Sequence, residues 1–160
     1  MGWIAVRGHS MGMAEQRVIG SGIDSSLAQA LDHYRRGIGL LYQGQSAPYA
    51  GCWERSSDVT LYGAWGPIDK GIEAIDATLR WVAGRCSGGT QTQVELSTVF
   101  EQATLAYSVG FERTTLSIAG RAPRRMVLRV TQVYRSSDGE WRIVHRHADE
   151  LPEDQRQLSD

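Results

Sequence analysis

Apolar positions follow two rhythms along this chain, a helical one in its first half and an alternating one from Gln91 onward. Leu27, Leu31, Tyr34, Ile38 and Leu41 recur three and four residues apart and predict a helix with one apolar face. Asp24-Ser25-Ser26 supplies the capping chemistry to start it, and Gly37 and Gly39 weaken its second half, leaving room for a kink or close packing. Residues 47–54 suggest a short helix ending in Trp53, and residues 58–62 a short strand broken by Gly63, Gly66 and Pro67. Ile72, Ile75, Leu79 and Val82 mark a second helix over about 70–85, which Ser87-Gly88-Gly89-Thr90 stops. Residues 94–100, 105–115, 126–134 and 141–147 then alternate and are rich in Val, Thr and aromatics, as strands are. Gly120 to Pro123 turns the chain between the second and third of these, and Ser137-Asp138-Gly139 closes a hairpin between the last two.

Short turns between successive strands require antiparallel neighbours, because parallel pairing needs a long crossover. Helices followed by a meander predict an α+β domain with its helices gathered on one sheet face. The expected boundaries are a Gly- and Met-rich flexible leader over 1–23, one domain over 24–150, and a polar, acidic tail over 151–160. Met11 and Met13 are alternative starts. At 160 residues the chain is long enough to bury a core without staples. A formal charge of −1 implies no general attraction to nucleic acid or anionic membrane. Lys70 is the sole lysine among seventeen basic residues, a bias that fits a GC-rich genome better than a phosphate-binding surface, because acids are interleaved throughout. Cys52 and Cys86 make neither a metal spacing nor a disulfide framework and read as buried or half-buried thiols of a reducing compartment. With no long apolar run and no signal-peptide pattern, a cytoplasmic domain is the expectation.

Four segments carry a resemblance to a known family: 58–63 (Asp-Val-Thr-Leu-Tyr-Gly), 105–112 (Leu-Ala-Tyr-Ser-Val-Gly-Phe-Glu), 128–134 (Leu-Arg-Val-Thr-Gln-Val-Tyr) and 138–149 (Asp-Gly-Glu-Trp-Arg-Ile-Val-His-Arg-His-Ala-Asp). In this order, across roughly residues 25–150, the chain resembles the SnoaL-like, ketosteroid isomerase-like branch of the nuclear transport factor 2-like (cystatin-like) superfamily. The resemblance implies a cone in which helices lean on a curved antiparallel sheet around an internal pocket. The superfamily includes ketosteroid isomerases, polyketide cyclases, limonene-type epoxide hydrolases, dehydratases and non-catalytic association domains, so the fold does not fix a reaction.

Which side chains face that pocket depends on hairpin register. A two-residue Asp138-Gly139 turn pairs Ser137 with Glu140 and sets Gln132 beside His145. A three-residue turn with a bulged Gly139 pairs Ser136 with Glu140 and sets Gln132 beside Val144, with Arg129, Thr131, Trp141, His145 and His147 on the opposite face. The residues alone leave both open. The resemblance favours the second, with Gln132, Val144, Arg146 and Ala148 toward the pocket and Tyr107, Val109 and Phe111 also inward, opposite Trp65. Similarity to ketosteroid isomerases sets Gly63 where their proton-shuttling Asp stands and Gln132 where their oxyanion-stabilising acid stands; Gly63 supplies no base, although Gln132 can still donate a hydrogen bond. Arg146 matches a position where limonene-type epoxide hydrolases carry a carboxylate.

Gly8-His9-Ser10-Met11-Gly12 matches the pattern of a serine-hydrolase nucleophile elbow, but no parallel sheet precedes it, so Ser10 is not read as a nucleophile. His145 and His147 are spaced to chelate, yet a third ligand has no source, and no metal is expected; either is a stronger candidate for a general base. An inward Arg146 needs an anionic partner, either a ligand group or a buried acid such as Glu112 or Asp58. The combined expectation is a small-molecule-binding domain whose site comprises Arg146, Gln132, Tyr107, Val109, Phe111, Trp65 and Val144. Its ligand is expected to be apolar and to bear a carbonyl or acidic group, with cofactor-independent isomerisation, cyclisation, dehydration or hydrolysis as reaction classes. The rival expectation is a non-catalytic sensing or association domain, homodimeric through the outer sheet face.

Overall fold

A computed structural model describes residues 23–151; the expected leader, Ser10 and nearly all of the polar tail lie outside the described residues. The chain runs α1 (Ser25–Leu41), α2 (Ala47–Ala50), β1 (Thr60–Tyr62), β2 (Ile68–Lys70), α3 (Ile72–Ala83), β3 (Cys86–Ser87), β4 (Gln93–Gln102), β5 (Leu105–Ile118), β6 (Arg124–Ser137) and β7 (Glu140–Glu150). All five apolar positions read along α1 are buried, and the Asp24 carboxylate caps the helix by accepting the Ser26 N–H at 2.6 Å. Gly37 does not kink it: a Cβ there would stand 2.9 Å from the Tyr49 Cα, so the α2 backbone packs directly on the glycine. In α3, Ile75 and Leu79 are buried and Ile72 and Val82 partly so.

The seven strands form one curled sheet in the order β2-β1-β7-β6-β5-β3, with β4 also paired to β5. The long meander is antiparallel throughout, whereas β1 joins β7 in parallel. The expected short helix over 47–54 ends at Ala50. Trp53 instead bridges Ile143 and extends the sheet edge, with Ile143 N–H donating to Cys52 O at 2.9 Å. Strands β2 and β3 were not foreseen, since three and two residues are too few to show a period. Cys52 and Cys86 are free and buried, burial pushing each thiol up to about 11. Among the described residues no helix is long and apolar enough to cross a membrane.

The β6–β7 hairpin combines features of both expected registers. Asp138 and Gly139, at φ 53° and 80°, make a two-residue turn that pairs Ser137 with Glu140. Beyond Tyr134–Ile143 the register slips by one residue at Val144, so that Val133 faces His145 and Gln132 faces Arg146. This bulge leaves Ile143 and Val144 buried side by side. It puts Trp141 and Ile143 on the same inner face as Arg146 and Ala148. Trp141 is therefore not on the outer face, as expected from an unbulged strand. It is only 7% exposed and shares a cleft with Ser26, Gln29, Ala30 and His33 at the start of α1.

Candidate functional site

The inner face of β5 carries small and polar side chains where apolar ones are usual. Along β5 the buried positions are Ala106, Ser108, Gly110, Glu112, Thr114 and Leu116. Glu112 is fully buried, and Arg146 on β7 meets it in a forked ion pair, Nη1 to Oε1 at 2.7 Å and Nη2 to Oε2 at 2.9 Å. Two tyrosines from α1 and its C-cap complete the carboxylate's coordination. Tyr34 Oη donates to Oε1 at 2.6 Å and Tyr42 Oη to Oε2 at 2.7 Å. A second chain of hydrogen bonds lies beside the first. Tyr49 Oη donates to Gln132 Oε1 at 2.9 Å, Gln132 Nε2 donates to Tyr134 Oη at 2.8 Å, and Tyr134 Oη lies 3.3 Å from Ser108 Oγ.

These contacts fix the charges. Burial alone would raise the Glu112 carboxyl, but the Arg146 charge, its hydrogen bonds and the two tyrosine hydroxyls outweigh that and hold it below the ordinary carboxylate range. Burial likewise opposes the Arg146 cation, and the Glu112 carboxylate more than compensates, keeping the guanidinium firmly protonated. Burial, reinforced by Glu112, raises Tyr34 and Tyr42 well above their usual value, so both remain hydroxyl donors. All four strong contacts of Glu112 are thus occupied, and it has no capacity to take a proton from a substrate. Arg146 commits two of its five N–H donors to Glu112. Of the two sequence readings of Arg146, the buried-acid partner is the one present.

Above this polar floor lies a cavity of about 60 Å³, several times the roughly 10–15 Å³ needed to hold one water. Arg146, Tyr42 and Tyr49 form its polar end, and Leu61, Leu79, Leu128 and Trp65 are among its apolar walls. Gly63 also borders it, together with Ala64 and Pro67. The lining among the described residues contains no carboxylate, histidine, cysteine or lysine.

The residues singled out in the sequence divide between two faces. Trp65 and Arg146 border the cavity. Gln132 is 0% exposed and lies behind it, positioning Tyr49. Val144 is buried at the bulge and is not among the cavity-lining residues. Tyr107, Val109 and Phe111 point the other way, and their expected inward orientation is corrected. Ser108 pairs directly with Gln132, and directly opposed residues project to the same side. An inward Gln132 therefore sends Tyr107 and Val109 outward, each 38% exposed. There Tyr107 stacks on Phe100 with ring centroids 5.4 Å apart. His145 and His147 are on the same outer face, edge-on to Tyr62, with His145 Nδ1 2.7 Å from Thr60 Oγ1. Tyr34, Tyr42 and Tyr49 were missed as polar-site residues. Their only sequence signal is the presence of hydroxyl-bearing aromatics on the apolar face of α1 and just after it.

Comparison with solved structures supports the same architecture. A ketosteroid isomerase-like protein from Erwinia carotovora atroseptica superposes with a TM-score of 0.69 at 14% identity, covering 80% of this chain and 95% of the other. A protein assigned as a calcium/calmodulin-dependent protein kinase type II association domain, from Thiobacillus denitrificans, gives 0.65 at 22% identity over 82% and 100%. One assigned as a dehydratase of the NTF2-like family, from Streptomyces avermitilis, gives 0.59 at 12% identity over 79% and 94%. At these identities the likeness establishes the fold alone. No curated protein matches the chain. The family model for the SnoaL-like domain matches residues 43–149, from the end of α1 almost to the end of β7, and the chain belongs to that family.

Proposed function

We propose that this domain binds an apolar, carbonyl-bearing small molecule in the cavity above the Glu112–Arg146 pair, and that none of the described residues lining it acts as a general base. The observation that carries this reading is the lining: a guanidinium and two tyrosines at one end, apolar side chains elsewhere, and Gly63, which has no side chain to act as a base. The Tyr42 and Tyr49 hydroxyl protons are committed to Glu112 and Gln132, so the ligand carbonyl is held by the Arg146 N–H donors that Glu112 does not take, at the end of an apolar slot. Isomerisation, cyclisation, dehydration or hydrolysis by a side-chain base has no base to use among the described lining residues, so ligand recognition is the function the geometry supports best. A cytoplasmic setting is consistent with the free cysteines. Native mass spectrometry of freshly purified protein should show a discrete small-molecule adduct. In Ala64→Leu, which fills the slot, occupancy should fall at least about tenfold, roughly the effect of losing 1.4 kcal/mol of binding. An adduct retained at full occupancy in that variant would place the ligand elsewhere.

A second reading rests on the outer sheet face, where Tyr62, Phe100, Tyr107 and Val109 are exposed together with half-buried Phe111. Apolar side chains clustered on a solvent face mark an interaction surface, and the face suits a homodimer. Sedimentation should give a dimer for the natural chain and a monomer for Val109→Asp. A natural chain that is monomeric at tens of micromolar, on the order of the range where specific dimers persist, removes this reading.

A further inference from the structure

Beside the cavity, and sharing its Trp65 and Trp81 wall, lies a wider surface groove of about 340 Å³. Its other side chains include Arg85, Arg121 and Arg124, and no acid lines it among the described residues. The two indoles meet edge to face with centroids 6.4 Å apart, and the Arg85 Cζ stands 4.0 Å above the Trp81 ring. The groove's two sides are tied together, because the Ala119 N–H donates to Arg85 O at 2.8 Å. Arg121 follows the Ala119-Gly120 turn, whose φ angles of 51° and 73° put an alanine in the left-handed region. Arg124 is already neutralised by a forked pair with Glu150. Arg85 and Arg121 have no ion pair among the described residues.

Two guanidiniums without an ion pair among the described residues, beside two indoles in edge-to-face contact, are the complement of an apolar molecule with an anionic end. Arg146, held by Glu112, cannot serve as the cation for such a group. We infer that the groove formed by Trp65, Trp81, Arg85 and Arg121 is an anion-docking entrance to the cavity, and that the ligand is a small apolar carboxylate or phosphate monoester. This rests on the proposed ligand-binding reading and adds a substrate class to it. The anion sits on Arg85 and Arg121 at the rim, and the apolar body passes the indoles toward Tyr42, Tyr49 and Arg146. Steering by the exposed pair also makes binding weaken with ionic strength.

The test compares two isosteric probes, 1-naphthaleneacetate and 1-naphthaleneacetamide, by titration calorimetry against the full chain and against Arg85→Gln/Arg121→Gln. The acetate is expected to bind about tenfold more tightly than the amide at low salt. The double variant should lose that advantage while keeping the amide's affinity and the natural melting temperature. Acetate and amide bound equally by the natural chain would overturn the anion site while leaving the cavity reading intact. So would an acetate preference that survives the double variant. If neither probe binds at millimolar concentration, both readings fall. If the double variant instead changes sedimentation mass, the groove is a contact between copies and the inference is likewise overturned.

Discussion

Replacing Arg146 by methionine will lower the unfolding free energy by about 3–5 kcal/mol, the usual penalty for stranding one partner of a buried ion pair. Glu112, fully buried, would keep its two tyrosine donors and lose both guanidinium bonds. Adding Glu112→Gln should recover much of the loss, since an amide carries no charge and still bonds Tyr34 and Tyr42. The pH dependence should reverse between the two proteins. In the natural chain the folded Glu112 carboxyl lies below its unfolded value. Its stabilising contribution is therefore complete above the unfolded value of about 4.3 and disappears as pH falls through the lower folded value. Without the cation, burial dominates and the folded carboxyl rises above the unfolded value. Folded Arg146→Met then binds the proton more tightly than the unfolded chain does, so its deficit should shrink as pH falls from 7.5 to 5.5. Urea denaturation at those two pH values is the check; an equal deficit at both would mean that Glu112 is not the stranded charge.

Gly110→Ala is the second large effect. A Cβ at Gly110 would lie 2.0 Å from Glu95 O and 2.9 Å from the Leu96 Cα, both backbone atoms of β4 at its bulge. Neither can swing aside, so β4 must move off β5 two residues from Glu112. The cost should be near the upper end of the overpacking range, about 3 kcal/mol. Gly39→Ala offers a contrast within the same fold. Its Cβ meets only Thr92 Cβ at 3.8 Å, an ordinary contact, so the helix preference of alanine should stabilise it by up to about 1 kcal/mol. Denaturation midpoints of the two variants should move in opposite directions. A Gly110→Ala protein as stable as the natural chain would mean that β4 does not approach β5 as closely as described.

The helices were legible because one period governed each. The buried faces of α1 and α3 follow from Leu27, Leu31, Tyr34, Ile38, Ile75 and Leu79 without further information. The sheet face was not legible, for a physical reason located in β5. Its large apolar residues, Leu105, Tyr107, Val109 and Phe111, alternate with Ala106, Ser108, Gly110 and Glu112. A rule that sends apolar side chains inward selects the wrong set. The inner set is small because tyrosines from α1 and α2 and the Arg146 side chain fill the space in front of it. The Val144 bulge had the same effect on β7, moving Trp141 to the inside without any local sequence mark. Arg146 and Gln132 were correctly placed inward, and Glu112 was among the acids considered for Arg146. The tyrosine hydroxyls that complete the network became visible only when three separate elements were brought together.

Ligand bound in the Trp65-bordered cavity would be seen first at the indole N–H resonances. The chain has five tryptophans, of which Trp65 and Trp81 border the cavity while Trp53 and Trp141 do not. On titrating ¹⁵N-labelled protein with a panel of apolar ketones and carboxylates, the Trp65 and Trp81 cross-peaks should shift together and saturably, with Trp53 and Trp141 unmoved. Shifts confined to Trp141, or no saturable shift at any indole, would mean that this cavity does not hold the ligand.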